Sequence, residues 1–128
     1  DLTHLGNFEE AIKCYDKAIE LNPDDSETWY NKGNALDYLG KYEEAIKCYD
    51  KVIELKPLDY QAWNNKGVAL VKLEKYEEAI KCFVKAIEFI PDYSDAWHNK
   101  GVVLEKLGKN EEAKECFKRA KEIENKNK

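Results

Sequence analysis

The 128-residue sequence contains no methionine, and its 21 basic residues include a single arginine, Arg119. Because an intact gene product starts with methionine, we expect the chain to be a fragment of a longer protein. The sequence also has no apolar run near the 18 or so residues of a membrane span, which argues against a membrane protein. No secretory signal is visible, so we expect a cytoplasmic location.

The sequence also has fewer basic than acidic residues, 21 against 26, so the formal net charge at pH 7 is −5. A protein that binds nucleic acid usually offers a basic surface to the phosphates, so we expect no nucleic-acid ligand. The basic residues are nearly all Lys, and Glu is abundant. This bias is typical of heat-adapted proteins, although the base composition of a genome produces it too, and both explanations stay open.

The sequence does contain one pattern that returns every 34 residues. Trp29, Trp63 and Trp97 keep this step. The other residues that keep it are Pro23, Pro57 and Pro91, then Gly33, Gly67 and Gly101, and finally Cys14, Cys48, Cys82 and Cys116. The full copies are therefore predicted at 26–59, 60–93 and 94–127, and residues 1–25 are the last part of an earlier copy.

Each copy contains two stretches with the apolar spacing of a helix. In the second copy these stretches begin near Trp63 and Tyr76. Gly6, Gly40 and Gly108 fall between the two stretches, where a helix end favours positive φ. In the second copy Glu74 takes the place of this glycine, and we expect a local weak point in the fold there. Pro57 and Pro91 end their copies, and Asp59 or Ser94 is expected to cap the helix that follows. Each copy is thus a predicted helical hairpin that buries its apolar face by stacking on its neighbours.

These residues resemble the tetratricopeptide repeat family, whose 34-residue pattern is W-x2-L-G-x2-Y, then A-x3-F, then P. The matching residues are Trp29, Gly33, Leu36, Ala45, Tyr49 and Pro57; Trp63, Gly67, Leu70, Ala79, Phe83 and Pro91; and Trp97, Gly101, Leu104, Ala113 and Phe117. Lys32, Lys66 and Lys100 replace the family Leu. The resemblance implies an all-α fold, a right-handed superhelical solenoid of antiparallel hairpins, with Trp in its core.

The last copy differs at two positions that are isoleucine elsewhere. Lys114 and Lys121 stand 34 residues after Ile80 and Ile87, at the same two positions of the repeat. If these isoleucines face the following hairpin, each contributes roughly 1.5–3 kcal/mol by burial, whereas lysine in a last copy faces water. We therefore expect the array to end naturally near residue 124. At the other end, the truncated first helix of residues 1–6 leaves an apolar face, and we expect self-association there.

The sequence contains few candidates for catalytic or metal-binding residues. The sequence has no G-x-x-x-x-G-K, H-E-x-x-H or G-x-S-x-G segment, and His4 and His98 stand alone. Equivalent cysteines in stacked hairpins lie at least about 8–10 Å apart, beyond the roughly 7 Å Cα limit of a disulfide. We expect reduced packing cysteines, no metal, no cofactor and no enzymatic activity.

In the family, the non-core residues of each first helix line a concave groove that binds extended peptides or helices. The predicted groove residues are Glu27, Tyr30, Asn31, Asn34, Asp37 and Tyr38; Gln61, Asn64, Asn65, Val68, Val71 and Lys72; and Asp95, His98, Asn99, Val102, Glu105 and Lys106. Asn31, Asn65 and Asn99 form a ladder that either binds a ligand's main chain or only supports the repeat. Tyr30, Asn64 and His98, which vary between copies, are expected to give specificity.

Co-chaperones of this family hold an acidic chaperone tail with a clamp of Lys and Asn, then Asn, then Lys and Arg. Asn34 and Asn65 match the clamp. The positions that should be cationic hold Tyr30, Asp95 and Asn99. The groove also leans acidic, so we expect a neutral or basic peptide and disfavour the acidic tail.

The sequence thus predicts a non-enzymatic scaffold that binds a protein or peptide segment in its groove. The alternative is a homo-oligomerisation module in which helix faces pair between chains. Fold class alone does not decide between them.

Overall fold

The computed structural model describes the backbone of residues 2–127 and the side chains of residues 6–127. This part of the chain is all helical. The helices are α1 (Leu2–Leu21), α2 (Ser26–Tyr38), α3 (Tyr42–Leu55), α4 (Tyr60–Lys72), α5 (Tyr76–Phe89), α6 (Ser94–Lys106) and α7 (Asn110–Lys126). We call α2, α4 and α6 the first helices, and α1, α3, α5 and α7 the second helices.

The helices form one row of antiparallel hairpins, α2–α3, α4–α5 and α6–α7, with α1 packed against α2. Neighbouring first helices also contact each other, α2 with α4 and α4 with α6. Among the described residues, no such contact joins α1 to α3, α3 to α5 or α5 to α7. The row therefore curves, with the first helices on its concave inner side and the second helices on its outer side.

The core lies between the two helices of each hairpin and continues into the next hairpin. Ala45, Tyr49 and Val52 of α3 are fully buried, as are Ala79, Phe83 and Ala86 of α5. Ile12, Ile46 and Ile80 each pack against the buried cluster of the following hairpin. This confirms the predicted facing of the first of the two isoleucine positions. Lys114 and Lys121 are exposed at the two equivalent positions of α7.

The tryptophans are only half-buried, because one edge of each ring reaches the loop before its helix. The indole Nε1–H of Trp29, Trp63 and Trp97 donates to the carbonyl oxygen of Pro23, Pro57 and Pro91, at 2.7, 3.0 and 2.9 Å. A core role for Trp is therefore correct in part. Each ring also fixes the loop that joins two hairpins, which explains why Trp and Pro recur together.

The turns inside the hairpins repeat one geometry. Gly40 and Gly108 have φ values of 81° and 80°, and Glu74 adopts 62° at the same place. In each turn the amide of the next residue, Lys41, Lys75 or Lys109, donates to a carbonyl five residues back. Glu74 is thus confirmed as the strained member, since left-handed backbone costs a residue with a side chain about 1–2 kcal/mol.

Two local predictions are wrong. Gly6 does not end a helix, because α1 runs unbroken from Leu2 to Leu21. Among the described residues, α2 is the only first helix that packs on α1, and it belongs to the following hairpin, so nothing forces a turn at Gly6. Ser94 is not a cap but the first residue of α6. The N-cap of α6 is Tyr93, whose side chain makes no capping hydrogen bond. Asp25 and Asp59 do cap α2 and α4 through their carboxylates.

Candidate functional site

The inner wall is built from side chains that bond across neighbouring first helices. The Nδ2 of Asn65 on α4 donates to Tyr30 Oη at 2.9 Å and to Asn34 Oδ1 at 3.2 Å, both on α2. The same Asn34 Oδ1 accepts from Tyr49 Oη at 2.7 Å. The bonds found among the described residues therefore use both amide hydrogens of Asn65 and leave its Oδ1 free.

The next step of the wall repeats this arrangement with fewer bonds. The Nδ2 of Asn99 on α6 donates to Asn64 Oδ1 on α4 at 3.1 Å. Asn64 is only 5% exposed, so the prediction that it gives specificity at the groove surface is wrong. It instead supports Asn99 and the neighbouring Tyr93, whose pKa is raised to about 12 chiefly by burial.

Two members of the asparagine ladder, Asn65 and Asn99, thus have a structural role, although a different one from bonding their own helix backbone. Asn65 and Asn99 join one first helix to the previous one, and this fixes the orientation of each amide. Asn99 keeps one amide hydrogen and its Oδ1 without a partner among the described residues. A rigid amide with spare capacity is suited to bind a peptide main chain, which needs both a donor and an acceptor.

A small apolar hollow of about 70 Å³ lies beside Asn99 in the inner wall. Val68, Val71 and Lys72 of α4 line one side, and Asn99 and Val102 of α6 line the other. The ring of Phe83 forms its floor. The hollow has the size and polarity for a small aliphatic side chain.

A second, polar hollow of about 350 Å³ lies near the N-terminal ends of α2 and α4. It brings together four predicted groove residues, Glu27, Tyr30, Asn31 and Gln61. Ser26, Lys56 and Asp59 also line it, and the sequence interpretation missed these three because they lie at helix ends, outside the predicted face of the first helices.

The charges of the inner wall are mostly exposed. Glu27, Asp95 and Glu105 are exposed, as are Lys72 and Lys106. Asp37 is half-buried, and burial raises the pKa of its carboxyl, against the attraction of Lys72. His98 is exposed on α6, with its ring centroid 5.4 Å from that of Phe117. Only the backbone of His4 is described, so its side chain lies outside the site geometry.

The four cysteines are free thiols and form no disulfide with one another. Cys48, Cys82 and Cys116 are buried and free, and burial raises the pKa of the first two to about 11. Cys14 is exposed, unlike the packing residue expected from the repeat. In the described part of the chain, no three His, Cys, Asp or Glu side chains are grouped as metal ligands.

The family comparison matches the model described as tetratricopeptide repeat at residues 26–58, 60–93 and 94–127, and a second model, TPR repeat, at residues 1–37. The chain belongs to the tetratricopeptide repeat family. Its array is therefore a protein–protein interaction scaffold, and members of this family are generally non-enzymatic. None of the helices within residues 2–127 has the length and apolar character needed to cross a membrane. A comparison with curated proteins finds no match.

Several solved structures are similar along most or nearly all of the chain. MamA 41-end from Desulfovibrio magneticus RS-1 is 26% identical with a TM-score of 0.89, over 98% of this chain and 71% of that one. A second MamA structure, MamA MSR-1 C2, is 26% identical with a TM-score of 0.85, over 96% and 71%. The first TPR of Spaghetti (RPAP3) bound to HSP90 peptide SRMEEVD is 31% identical with a TM-score of 0.76, over 77% and 79%.

One departure from the tetratricopeptide repeat pattern has a structural cause that the sequence interpretation missed. Lys32 and Lys66 stand where the family has Leu, and their Nζ atoms lie 2.6 and 2.7 Å from carboxylates of Asp16 and Asp50 on the preceding second helix. Each Nζ also lies over the neighbouring Trp ring. An Asp stands 16 residues before Lys32 and before Lys66, although Val84 takes this place before Lys100, and this recurrence was the available signal.

Proposed function

We propose that the concave groove of α2, α4 and α6 binds an extended, neutral or basic peptide segment of another protein. The observation that carries this proposal is the inner wall itself, in which Asn65 and Asn99 are held by Tyr30, Asn34 and Asn64 beside an apolar hollow. Because these amides are already oriented, a ligand does not have to order them, and this lowers the entropic cost of binding.

The ligand's main chain would bond the free Oδ1 of Asn65 and the remaining amide capacity of Asn99. A small aliphatic side chain would enter the hollow between Val68 and Val102. The exposed carboxylates of Glu27, Asp95 and Glu105 would steer neutral or basic segments towards the groove more readily than acidic ones. The polar hollow near Gln61 would hold a second, polar part of the ligand.

The acidic-tail clamp remains disfavoured despite the similarity to the HSP90-peptide complex. Asn34 and Asn65 lie at matching positions, but Asn65 donates one amide hydrogen to Asn34 Oδ1 and the other to Tyr30 Oη. Asp95 is exposed at a position where the clamp has a cation. It would repel the carboxylates of a segment such as SRMEEVD.

The test is selection from a phage-displayed library of random peptides, followed by affinity measurement with a selected peptide. Val102→Asp places a charge beside the apolar hollow, and we expect it to weaken binding at least tenfold, about 1.4 kcal/mol. Leu21→Asp is the control, since it also replaces an apolar side chain by Asp but lies on α1, outside the groove. Equal affinity of both variants, or no selected peptide, would refute binding in the groove.

Self-association is the second candidate, and the apolar residues exposed on α1 favour it. Leu21 is 88% exposed, and Ala18 and Cys14 are exposed on the same side of the helix. Two chains could pair through this side without using the groove. Sedimentation over a wide range of concentrations checks it: a dimer that Ala18→Lys converts to monomer supports self-association, and a monomer at all concentrations excludes it.

A further inference from the structure

A cleft of about 730 Å³ opens on the outer side of the array, between α1 and α3. These two helices do not contact each other within the described residues, so the space between them over α2 stays open. Four apolar side chains line this first outer cleft, those of Ile12, Trp29, Leu36 and Cys48. Leu36 and Cys48 are buried, whereas Ile12 and Trp29 keep part of their surface exposed. The volume is in the range of small-molecule sites, about 300–1,000 Å³.

The other residues that line the first outer cleft are charged, and lysines outnumber carboxylates by five to three. They are Lys13, Lys32, Lys41, Lys47 and Lys51, with Glu9, Asp16 and Glu44. Lys13, Lys32 and Lys51 each pair with a carboxylate. Lys41 and Lys47 are exposed, and neither forms an ion pair with any described residue. The cleft is therefore locally positive in a chain whose net charge is −5.

The same set of residues recurs between α3 and α5. Each of the twelve residues that line the first outer cleft has the same residue type 34 positions later, from Glu43 to Lys85. Each also has the same burial as its counterpart, whether buried, half-buried or exposed. Lys75 and Lys81 take the places of the two lysines without an ion pair. We call this surface the second outer cleft, and it does not involve α1.

The equivalent surface between α5 and α7 keeps the apolar residues but not the charges. Its apolar residues are Ile80, Trp97, Leu104 and Cys116. Lys109 keeps one lysine of the pair, whereas Glu115 stands where the other two clefts have Lys47 and Lys81. This third surface is therefore a control within the chain, since it offers the same apolar residue types without the pair of lysines.

We propose that the first and second outer clefts each bind a small amphipathic anion, an aromatic or aliphatic body that carries one acidic group. The body would lie against the exposed parts of Trp and Ile. The acidic group would lie between Lys41 and Lys47, or between Lys75 and Lys81, because the lysine ammonium is a compact point charge that suits a carboxylate, phosphate or sulfonate. Neither cleft involves the groove, so this proposal stands whether or not the groove binds a peptide.

A protein partner is a poorer occupant of these clefts. A stable protein interface buries about 800 Å² on each partner, and lysine is depleted in the core of such interfaces. In the outer clefts, by contrast, lysines surround the apolar residues on a surface that is otherwise open. A small ligand needs only the apolar residues and the lysine pair of one cleft.

The probe for the test is 8-anilinonaphthalene-1-sulfonate, and N-phenyl-1-naphthylamine is its neutral counterpart without the sulfonate. Equilibrium dialysis measures the number and affinity of bound probe molecules per folded chain. Lys41→Glu and Lys75→Glu should each weaken the sulfonate at one site by at least about tenfold, since the reversed charge repels it. Their combination should weaken both sites. Comparison between variants cancels any probe that binds elsewhere on the chain.

The matched control is Lys109→Glu, the same change at the same repeat position in the third surface. Lys41, Lys75 and Lys109 are the N-caps of α3, α5 and α7. A carboxylate is favourable at the start of a helix, so none of these changes should unfold the chain. Lys109→Glu should leave both sulfonate sites unchanged. The neutral amine should bind the original chain and all the variants alike.

Four results would overturn the proposal. The first is no binding of the sulfonate up to its solubility limit. The second is equal weakening by Lys41→Glu, Lys75→Glu and Lys109→Glu, since net charge would then explain the effect. The third is binding that none of these variants changes, or the same loss for the neutral amine. The fourth is sedimentation with phosphatidylglycerol vesicles by a chain that does not bind the dissolved sulfonate, because the lysines would then serve a membrane surface.

Discussion

Individual glycines set the distance between the two helices of each hairpin. Gly67 of α4 lies against Phe83, and Gly101 of α6 lies against Phe117, so close that a Cβ would fall within 2.7 Å of a ring atom. The 34-residue recurrence of Gly with an aromatic residue is therefore a packing requirement. Gly6 has no atom within 4 Å of a built Cβ, and it serves no such purpose in α1.

We predict opposite effects for the same substitution at these two glycines. Gly67→Ala should lower the free energy of unfolding by about 1–3 kcal/mol, because Phe83 is fully buried and has little room to move. Gly6→Ala should raise it by up to about 1 kcal/mol, since alanine is the better helix former. Urea unfolding of both variants measures this. Similar values for the two would mean that the hairpins are less closely packed than described.

The strained turn gives a second contrast at single residues. Glu74→Gly should stabilise the chain by about 0.5–1 kcal/mol, because relief of the left-handed backbone outweighs the greater entropy of glycine in the unfolded state. Gly40→Glu should destabilise it by a similar amount, since it creates the same strain. Thermal unfolding under identical conditions compares the two, and a destabilising Glu74→Gly would contradict the assignment of strain.

Among the helices, α1 differs from its three equivalents, and the cysteines report this directly. We predict that iodoacetamide at pH 8 modifies Cys14 alone in the folded chain. Cys48 and Cys82 should stay unmodified, because burial limits access and raises their pKa to about 11. Mass spectrometry counts one modified thiol per folded chain and all four after unfolding in urea. Rapid modification of Cys82 would show that α5 is less well covered than the structure indicates.

The sequence predicted most elements because one signal, the 34-residue step, was repeated several times. Pro57, the Trp series and the change from Ile80 to Lys114 each follow from position within the repeat. The errors fall where a residue's surroundings differ between copies. Gly40 lies in the turn between the packed helices α2 and α3, whereas α1 continues through Gly6 without a turn. Asn64 is buried by contacts with α6 that no local pattern encodes. The bonds of Asn65 to Tyr30 and Asn34 join different copies, so the pattern of one helix could not show them.

Across the array, curvature separates two surfaces of different character. The inner wall is made by the first helices, and its residues differ between copies, as Tyr30 and His98 do. The outer side is made by the second helices and repeats the same lysines and glutamates, several of them paired within one helix, such as Lys51 with Glu54. A ligand that distinguishes one part of the array from another therefore has more to recognise on the inner side.

This separation gives a charge test of the proposed groove. Asp95→Lys combined with Glu105→Lys reverses two exposed carboxylates of α6 on the inner wall. Glu111→Lys combined with Glu124→Lys makes the same change in the first and last turns of α7, away from the groove. We expect the original chain and the α7 variant to select neutral or basic peptides from a random library. The α6 variant should shift the selection towards acidic peptides, because local charge steers association more than net charge does.

The same shift in both variants would mean that net charge, not the groove, determines the preference. Selection of acidic peptides by the original chain would contradict the preference itself. The salt dependence of the association rate gives a second measure: screening should slow the association of a basic peptide with the original chain, and the α6 variant should lose this dependence. The α7 variant should keep it, since its altered charges lie on the other side of the array from the bound segment.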